Sequence, residues 1–376
     1  MATELKPVFI IGYFLSLTPL YTEPKASLLR KCYGFLVLLL ISTGMTISTV
    51  NRRFYQNFVG IKIVEHIIMD VNLLIFNICA VLIGVFWKAQ EWQKFLDNLK
   101  NVTDVQISSN VLTFYVFNIL GLLTFIFTYC IRYEQNGGLD YVRRYNVVYL
   151  QDYMVFFYNT FLYLIGSILF LKYKQISTVM ENLDTTGQSS ALSRQYSLKK
   201  LEMSLCFLKD CVDIFNELFG WPIFFIISFT SLHILNHFDN IFAASASSHH
   251  SYNFSKKVTA DVAILILACV RFGFYDFIIV HMYRFQGGTI AMIFKCDFVV
   301  KEAEKILLLS YKLKRNYCTE NTPKIDFQKF CTSVEENLPR FSAARFFHIN
   351  RCTVLHIFGT VTSFFIVMIQ LRHSSY

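Results

Sequence analysis

Seven stretches of low charge, each long enough to cross a bilayer, leave this chain few folds to choose from. They run at about 32–50, 66–87, 110–131, 151–171, 218–240, 258–283 and 352–371. A helix rises about 1.5 Å per residue, so roughly 20 residues cover about 30 Å of hydrocarbon. The last stretch, Cys352 to Leu371, carries one histidine, His356, and ends on Gln370 and Leu371 before a short tail. A polar residue at the far mouth of a membrane helix suits either an anchor with an interfacial Gln or a helix that lines a pore.

Composition agrees with a polytopic membrane protein. Only 16% of the residues are charged, against about 25% in soluble domains. The 39 Phe and 21 Tyr suit lipid-facing and interfacial positions. The expected fold is therefore an all-α membrane protein with seven transmembrane helices. The net charge of +9 lies mostly in loops, where it reports topology and not nucleic-acid binding.

Between the spans, Lys6 to Tyr21 has a basic residue and a short apolar core but no small-residue cleavage site, and reads as an uncleaved interfacial helix. Proline favours the first turn of a helix, so Pro222 leaves the start of span five, taken near residue 218, the least defined of the seven. Residues 172–217 and 284–351 read as long, basic, amphipathic loops, with a flexible Ser/Thr/Gly-rich part from Asp184 to Gln195. Lys295 to Lys314 has the charge and leucine alternation of a helix on an aqueous surface. Of the 35 Lys and Arg, 25 fall on one side of this layout and 9 on the other, with Arg271 inside span six. Basic residues stay cytoplasmic, which places the N-terminus inside and the C-terminus outside. A G-protein-coupled receptor has the opposite orientation. Its Asp-Arg-Tyr and Asn-Pro-x-x-Tyr motifs are also missing from spans three and seven. A transporter would show two matching halves with broken helices, and no such repeat is present.

The chemistry-bearing residues do not form an enzyme. Cys79 and Cys269 lie within spans, and Cys206, Cys211, Cys296, Cys318 and Cys331 on the cytoplasmic side, where thiols stay reduced; Cys130 lies near the outer surface without a partner. His233 and His237, four apart, and the pair His249-His250 read as interfacial histidines, not a metal site. No Gly-rich phosphate loop, nucleophile elbow or His-Glu-x-x-His occurs. Neither a cofactor nor a metal is expected.

The C-terminal stretch carries more than composition. Ser363-Phe364, the five apolar residues Phe365, Ile366, Val367, Met368 and Ile369, then Gln370-Leu371 resemble the tail motif of insect gustatory receptors and the related odorant receptors. That motif is Thr-Tyr, five apolar residues and Gln-Phe in the seventh helix. Upstream, Phe341-Ser342-Ala343-Ala344-Arg345-Phe346-Phe347 resembles the segment leading into that helix, with Arg where the family usually has Gly. Leu17-Thr18-Pro19 matches a similar hydrophobic-Pro segment near the N-terminus.

The resemblance implies a ligand-gated, non-selective cation channel of four subunits. It would be a homo- or hetero-tetramer with other gustatory receptors, in contact with membrane lipid at the plasma membrane of gustatory receptor neurons. Its ligand would be a small organic tastant, with bitter compounds favoured. An odorant receptor of the same superfamily, or a G-protein-coupled receptor, is the alternative. The implied layout is a cytoplasmic N-terminus at 1–31, six helices with the ligand pocket at 32–283, a cytoplasmic anchor segment at 284–351 and the pore helix with a short extracellular tail at 352–376.

Helical spacing brings Ser363, Val367, Gln370 and Leu371 near one face. By motif position Val367 matches the apolar ring that closes the pore, and Gln370 the polar ring beside it; the other reading has Val367 facing lipid. For the pocket, depth selects Asp70 and Asn72 on span two, Tyr153, Phe156 and Phe157 on span four, and Arg271 and Tyr275 on span six. Asp70 and Arg271 are a candidate ion pair, since an ionisable group within a membrane faces a cavity or a partner; the pair could serve packing alone. Two glycosylation sequons, at Asn101 and Asn253, lie on opposite sides, so Asn253 is the one expected to be modified.

Overall fold

The computed structural model describes residues 2–19, 27–51, 60–102, 108–135, 138–185, 191–247, 277–317 and 324–373. Its helices are α1 (Ala2–Phe14), α2 (Leu28–Asn51), α3 (Gly60–Val81), α4 (Ala89–Asn101), α5 (Ser108–Gln135), α6 (Leu139–Thr185), α7 (Ala191–Ser247), α8 (Phe277–Tyr317), α9 (Lys324–Glu336) and α10 (Arg351–His373). A π-helical turn, Leu82–Trp87, extends α3. Among the described residues, five segments are long and apolar enough to cross a membrane: Leu28–Asn51, Ile63–Trp87, Ser108–Phe127, Tyr141–Asp184 and Tyr196–Asn236. A shorter apolar helix runs over Arg351–Val367. The chain is an all-α membrane protein. Most of span six lies outside the described residues.

The two basic stretches read as loops are helix for most of their length. α6 has 47 residues and α7 has 57, or about 70 Å and 85 Å of helix at 1.5 Å per residue. The reason lies in their spacing. Tyr173, Ile176 and Met180 on α6, and Leu198, Leu201, Leu205, Leu208, Val212 and Phe215 on α7, recur every three or four residues and are all buried. Met292, Cys296, Val299, Ala303 and Ile306 do the same on α8. Most charged residues take the outer faces, while Lys172 is buried and donates to Val102 O at 2.9 Å. Each fully buried apolar side chain contributes about 1.5–3 kcal/mol, enough to hold these charge-rich stretches as helix. Pro222 consequently stands inside α7 and not at its start. A proline in a long membrane helix is tolerated where neighbouring helices re-satisfy the freed carbonyl.

An ionic seam follows α6 and α8 outward from this core. Lys305 reaches Glu181 at 2.9 Å and Lys312 reaches Asp184 at 2.6 Å. Ser177 Oγ donates to the Glu302 carboxylate. The hydrogen bond to Glu181, and then the charges of Glu302 and Glu181, hold the Lys305 ammonium above its ordinary pKa. α9 closes the bundle with Phe327, Phe330 and Val334.

The N-terminal helix is packed, not merely interfacial. Leu5, Val8 and Phe9 are fully buried. Phe9 meets Trp92 and Phe161 edge-on, at 5.9 and 5.7 Å between centroids. Arg30 locks the turn after α1: Nη1 donates to Tyr13 O at 2.7 Å and Nη2 to Thr18 O at 3.0 Å. The Leu17-Thr18-Pro19 segment is thus a buried clasp, since Thr18 Oγ1 also donates to Phe9 O at 3.2 Å.

Candidate functional site

Phe341 to Phe347, the segment before the last helix, folds into a small antiparallel hairpin. β1 (Ser342–Ala343) pairs with β2 (Phe347–His348) in the register Ser342 with His348 and Ala343 with Phe347. Phe346 N donates to Ala343 O at 2.9 Å across the turn. Ala344 and Arg345, at the turn's centre, have φ of 49° and 64°. Both lie in the left-handed region that favours glycine, which accounts for the residue the family prefers where Arg345 stands.

The hairpin is clamped onto α7. Asn216 Nδ2 donates to Arg340 O at 2.7 Å, and its Oδ1 accepts from Ser342 N at 2.9 Å. Phe341 meets Phe215 at 5.3 Å, and Phe346 meets Trp221 at 5.7 Å and Phe224 at 5.3 Å. Gly220 makes the approach possible, because a Cβ there would stand 2.9 Å from Ala344 N. Beyond the hairpin, Asn350 caps α10, its Oδ1 accepting from Thr353 N at 3.3 Å. Arg351 Nε lies 2.6 Å from Asp297 Oδ2 and ties the helix start to α8.

α10 is buried along one side only. Thr353, Val354, Ile357 and Val361 face the rest of the chain. Ser363, Val367 and Gln370 are exposed, and at 100° per residue they fall within about 60° of arc. Leu355, His356, Gly359, Thr360, Ser363, Phe364 and Val367 border one open groove along this side. The hydroxyls on this helix are spent internally: Ser363 Oγ donates to Gly359 O at 2.9 Å and Thr362 Oγ1 to Phe358 O at 2.8 Å. Leu371 belongs to α10, but its side chain lies outside the description.

A second feature is a cavity of about 450 Å³ between α5, α6 and α8. Phe114, Phe117, Leu120, Phe156 and Leu164 supply apolar wall; Asn110, Thr113, Asn159, Thr160, Tyr163 and Ser167 supply polar atoms; Gly287, Gly288 and Ala291 open the α8 side. Phe125 packs on Tyr153 and on the lining residue Phe156 at 5.7 and 6.0 Å. Neutral hydrogen bonds cross between the helices beside it. Asn118 Nδ2 donates to Thr160 Oγ1 at 3.1 Å, and Asn159 Nδ2 to Thr289 Oγ1 at 3.3 Å. The Thr289 and Thr230 hydroxyls lie 2.9 Å apart, which carries the chain of contacts on to α7.

Of the pocket residues selected by depth, Phe156 lines this cavity. Tyr153 does not line it but packs on Phe125 and on the lining Phe156, at 5.7 and 6.4 Å. Phe157 is fully buried one layer away, against Phe114 at 5.8 Å and Phe161 at 6.3 Å. Asp70 and Asn72 lie on α3, which contributes no lining residue. Arg271, Tyr275 and Asn253 lie outside the described residues. Asn101 ends α4 and is exposed, while Thr103 of its sequon is not described. Sequence reasoning passed over Asn118, Thr230 and Thr289, because it weighed mainly ionisable and aromatic residues at the outer ends of spans two, four and six.

A family model for the 7tm chemosensory receptors matches residues 5–372. Among solved structures, the insect olfactory receptor OR5 from Machilis hrabei is similar over 98% of both chains, with a TM-score of 0.60 and 12% identity. The same receptor in complex with eugenol is similar over 98% of both chains, with a TM-score of 0.61 and 13% identity. No curated protein matches the chain. At this identity the likeness to solved structures speaks for the fold.

Proposed function

The chain belongs to the seven-transmembrane chemosensory receptor family, and from that premise we propose that it is a gustatory receptor acting as a ligand-gated, non-selective cation channel. Four copies surround a central pore, each with its N-terminus in the cytoplasm and α10 lining the pore. The helical stretches within 172–217 and 284–351 form the shared cytoplasmic anchor. The observation that carries this reading is the one-sided burial of α10, which turns Ser363, Val367 and Gln370 away from the rest of the chain. A ring of four Val367 side chains would stop ions by dewetting, and four Gln370 amides would line the open path without strong selection. The cavity supports the ligand half of the proposal. At about 450 Å³ it lies in the range of small-molecule pockets, roughly 300–1,000 Å³. Its helices reach α7 through Thr289 and Thr230, and α7 holds the hairpin that leads into α10.

The tail motif supports a taste receptor in gustatory neurons. The likeness to an olfactory receptor favours a second reading, an odorant receptor on the same plan; activation by volatile compounds and not by water-soluble tastants would select it. Patch recordings from cells expressing the receptor test the channel itself. Val367→Ser should raise current without ligand, and Gln370→Glu should alter cation conductance or divalent block. Phe365→Ser, on the core-facing side of α10, should not produce a leak. Unchanged basal current in Val367→Ser together with unchanged permeation in Gln370→Glu would remove α10 from the pore.

A further inference from the structure

Two polar atoms in the cavity between α5, α6 and α8 lack partners. Asn159 is 1% exposed; its Nδ2 is spent on Thr289, while its Oδ1 has no hydrogen-bond partner among the described residues. Ser167 is 3% exposed, and its Oγ is likewise unpartnered. Both side chains line the cavity. They stand eight residues apart on α6, a rise of about 12 Å along the helix. Buried polar groups are nearly always hydrogen-bonded, and those that are not call for an explanation. Two lining hydroxyls are engaged: Thr160 Oγ1 donates to Phe157 O at 2.8 Å and Thr113 Oγ1 to Ser109 O at 2.8 Å.

The wall between the two orphans is aromatic and aliphatic, and no lining residue carries a charge. An ionic ligand would enter such a site stripped of much of its hydration, and the Lys295 ammonium, 5.3 Å from the Tyr163 ring centroid, is not itself among the lining groups. The α8 wall also leaves room. A Cβ at Gly287 would meet nothing within 4 Å, and one at Gly288 would meet Asn159 Cβ only at 3.5 Å.

We infer that this cavity recognises an uncharged, elongated aromatic molecule that donates a hydrogen bond to Asn159 Oδ1 and places a second polar group near Ser167. The inference rests on the reading of this cavity as the ligand pocket and specifies the ligand that it takes. A hydroxyl or amide donor at one end satisfies the carbonyl, the ring fills the space between Phe114, Phe117 and Phe156, and the far polar group meets the Ser167 hydroxyl. Water alone satisfies the same atoms but leaves the apolar wall wet, so a molecule with both kinds of surface gains on both counts.

The test compares each donor with its capped twin. Eugenol and its O-methyl ether have the same skeleton and differ in the donor; further phenols with their methyl ethers, and benzoates of similar size as charged controls, complete the panel. Binding is read on the purified full-length receptor by thermal stabilisation, which needs no current. Phenols should bind about 3- to 10-fold more tightly than their ethers, the worth of one neutral hydrogen bond, and benzoates should not bind. Asn159→Leu should make phenol and ether equal, Asn159→Ser should restore part of the preference, and Ser167→Ala should weaken phenol and ether alike in those members that carry a second polar group at the far end. Gly287→Leu should lose all binding by filling the space, while its melting without ligand verifies its fold.

Equal binding of phenols and ethers in the unmodified receptor, tighter binding of the ethers, binding of benzoates, or no binding by any member at millimolar concentration would each overturn the inference. The channel reading is judged separately. If phenols bind as stated but evoke no current, and Val367→Ser does not leak, the channel proposal fails while the recognition chemistry stands. If Val367→Ser leaks but the phenol preference is missing, only the recognition chemistry fails.

Discussion

α7 and α10 are both long helices of apolar composition, yet they end up in opposite circumstances. On α7, Leu198, Leu201, Leu205, Leu208, Val212, Phe215, Leu218 and Phe219 are all buried within one chain. On α10 only one side is covered, and Leu355, Phe358, Phe364, Ile366 and Val367 remain exposed. α2 is exposed too, but its open face is mainly Leu, Ile, Phe and Val, as lipid requires. α10 adds His356, Thr360, Ser363 and Gln370 to its open side. The contrast separates two tasks. The bundle of α6, α7 and α8 holds the chain together, and α10 is free to change its environment at small cost to the fold. Substitutions should divide the same way.

The largest expected effect breaks the closed side. Phe215 is fully buried between Phe219 at 4.8 Å and Phe341 at 5.3 Å. Truncating such a ring costs about 3–5 kcal/mol. Phe215→Ala should lower the melting temperature of the purified receptor sharply and reduce its surface expression. Val367→Ser, at a position 47% exposed in the chain, should leave melting nearly unchanged. Equal losses in the two would erase the contrast.

A smaller effect is expected where the two regions join. A side chain at Gly220 meets backbone, not a flexible tip, at Ala344, so the hairpin must move. Overpacking of this kind costs about 1–3 kcal/mol. Gly220→Val should leave the α6–α8 bundle folded but shift the hairpin off α7. Limited proteolysis should then cut near residues 344–346, and ligand-evoked current should fall much more than surface expression does. Current that tracks expression alone would mean that the hairpin transmits nothing.

The ionic seam should matter less again. Lys312 and Asp184 are 2.6 Å apart, and Asn316 Nδ2 donates to the same carboxylate at 2.9 Å. The lysine end is about half exposed, and pairs of this type contribute at most about 1 kcal/mol. A double-mutant cycle on Asp184→Asn and Lys312→Met, read by melting temperature, should give a coupling within that bound and shrinking in high salt. A coupling several times larger would shift weight from apolar burial to electrostatics in the closed region.

These differences also mark what was readable in advance. The low-charge runs were legible because lipid imposes a length of about 20 residues with almost no exceptions. The continuation of α6 and α7 as helix through residues 172–217 was not, because charge density there resembles a loop. The 3–4 spacing from Leu198 to Phe215 was present all the same, and would have marked a helix had it been weighed above charge. Pro222 misled for a related reason: first-turn preference is a soluble-protein habit, and buried neighbours override it. The tail motif pointed to Ser363, Val367 and Gln370, and they do share one exposed side of α10. The cavity was legible only in part: depth on span four selected Phe156, which lines it, and little of its polar frame. Asn118, Thr160, Asn159, Thr289 and Thr230 are unremarkable one at a time and come from four helices, so their value arises only from packing.

The smallest effect concerns the hairpin turn itself, and its sign is the informative part. Ala344 and Arg345 occupy consecutive left-handed positions, at φ 49° and 64°. Two-residue turns of that kind favour Asn-Gly, since a Cβ in this region crowds the following carbonyl. The penalty for a non-glycine residue is about 1–2 kcal/mol. Glycine returns about 0.4–1 kcal/mol of that through the greater freedom of the unfolded chain. The exposed Arg345 side chain contributes little to offset the difference. Arg345→Gly should therefore stabilise the receptor slightly, by a few tenths to about 1 kcal/mol, whereas nearly every other change in the hairpin destabilises it. The readouts are melting temperature and the ligand concentration for half-maximal current, which should fall if a firmer turn couples α7 to α10 more tightly. A loss of stability in Arg345→Gly would show that the guanidinium holds the turn through contacts stronger than its strain, and would move Arg345 from the flexible joint into the closed region.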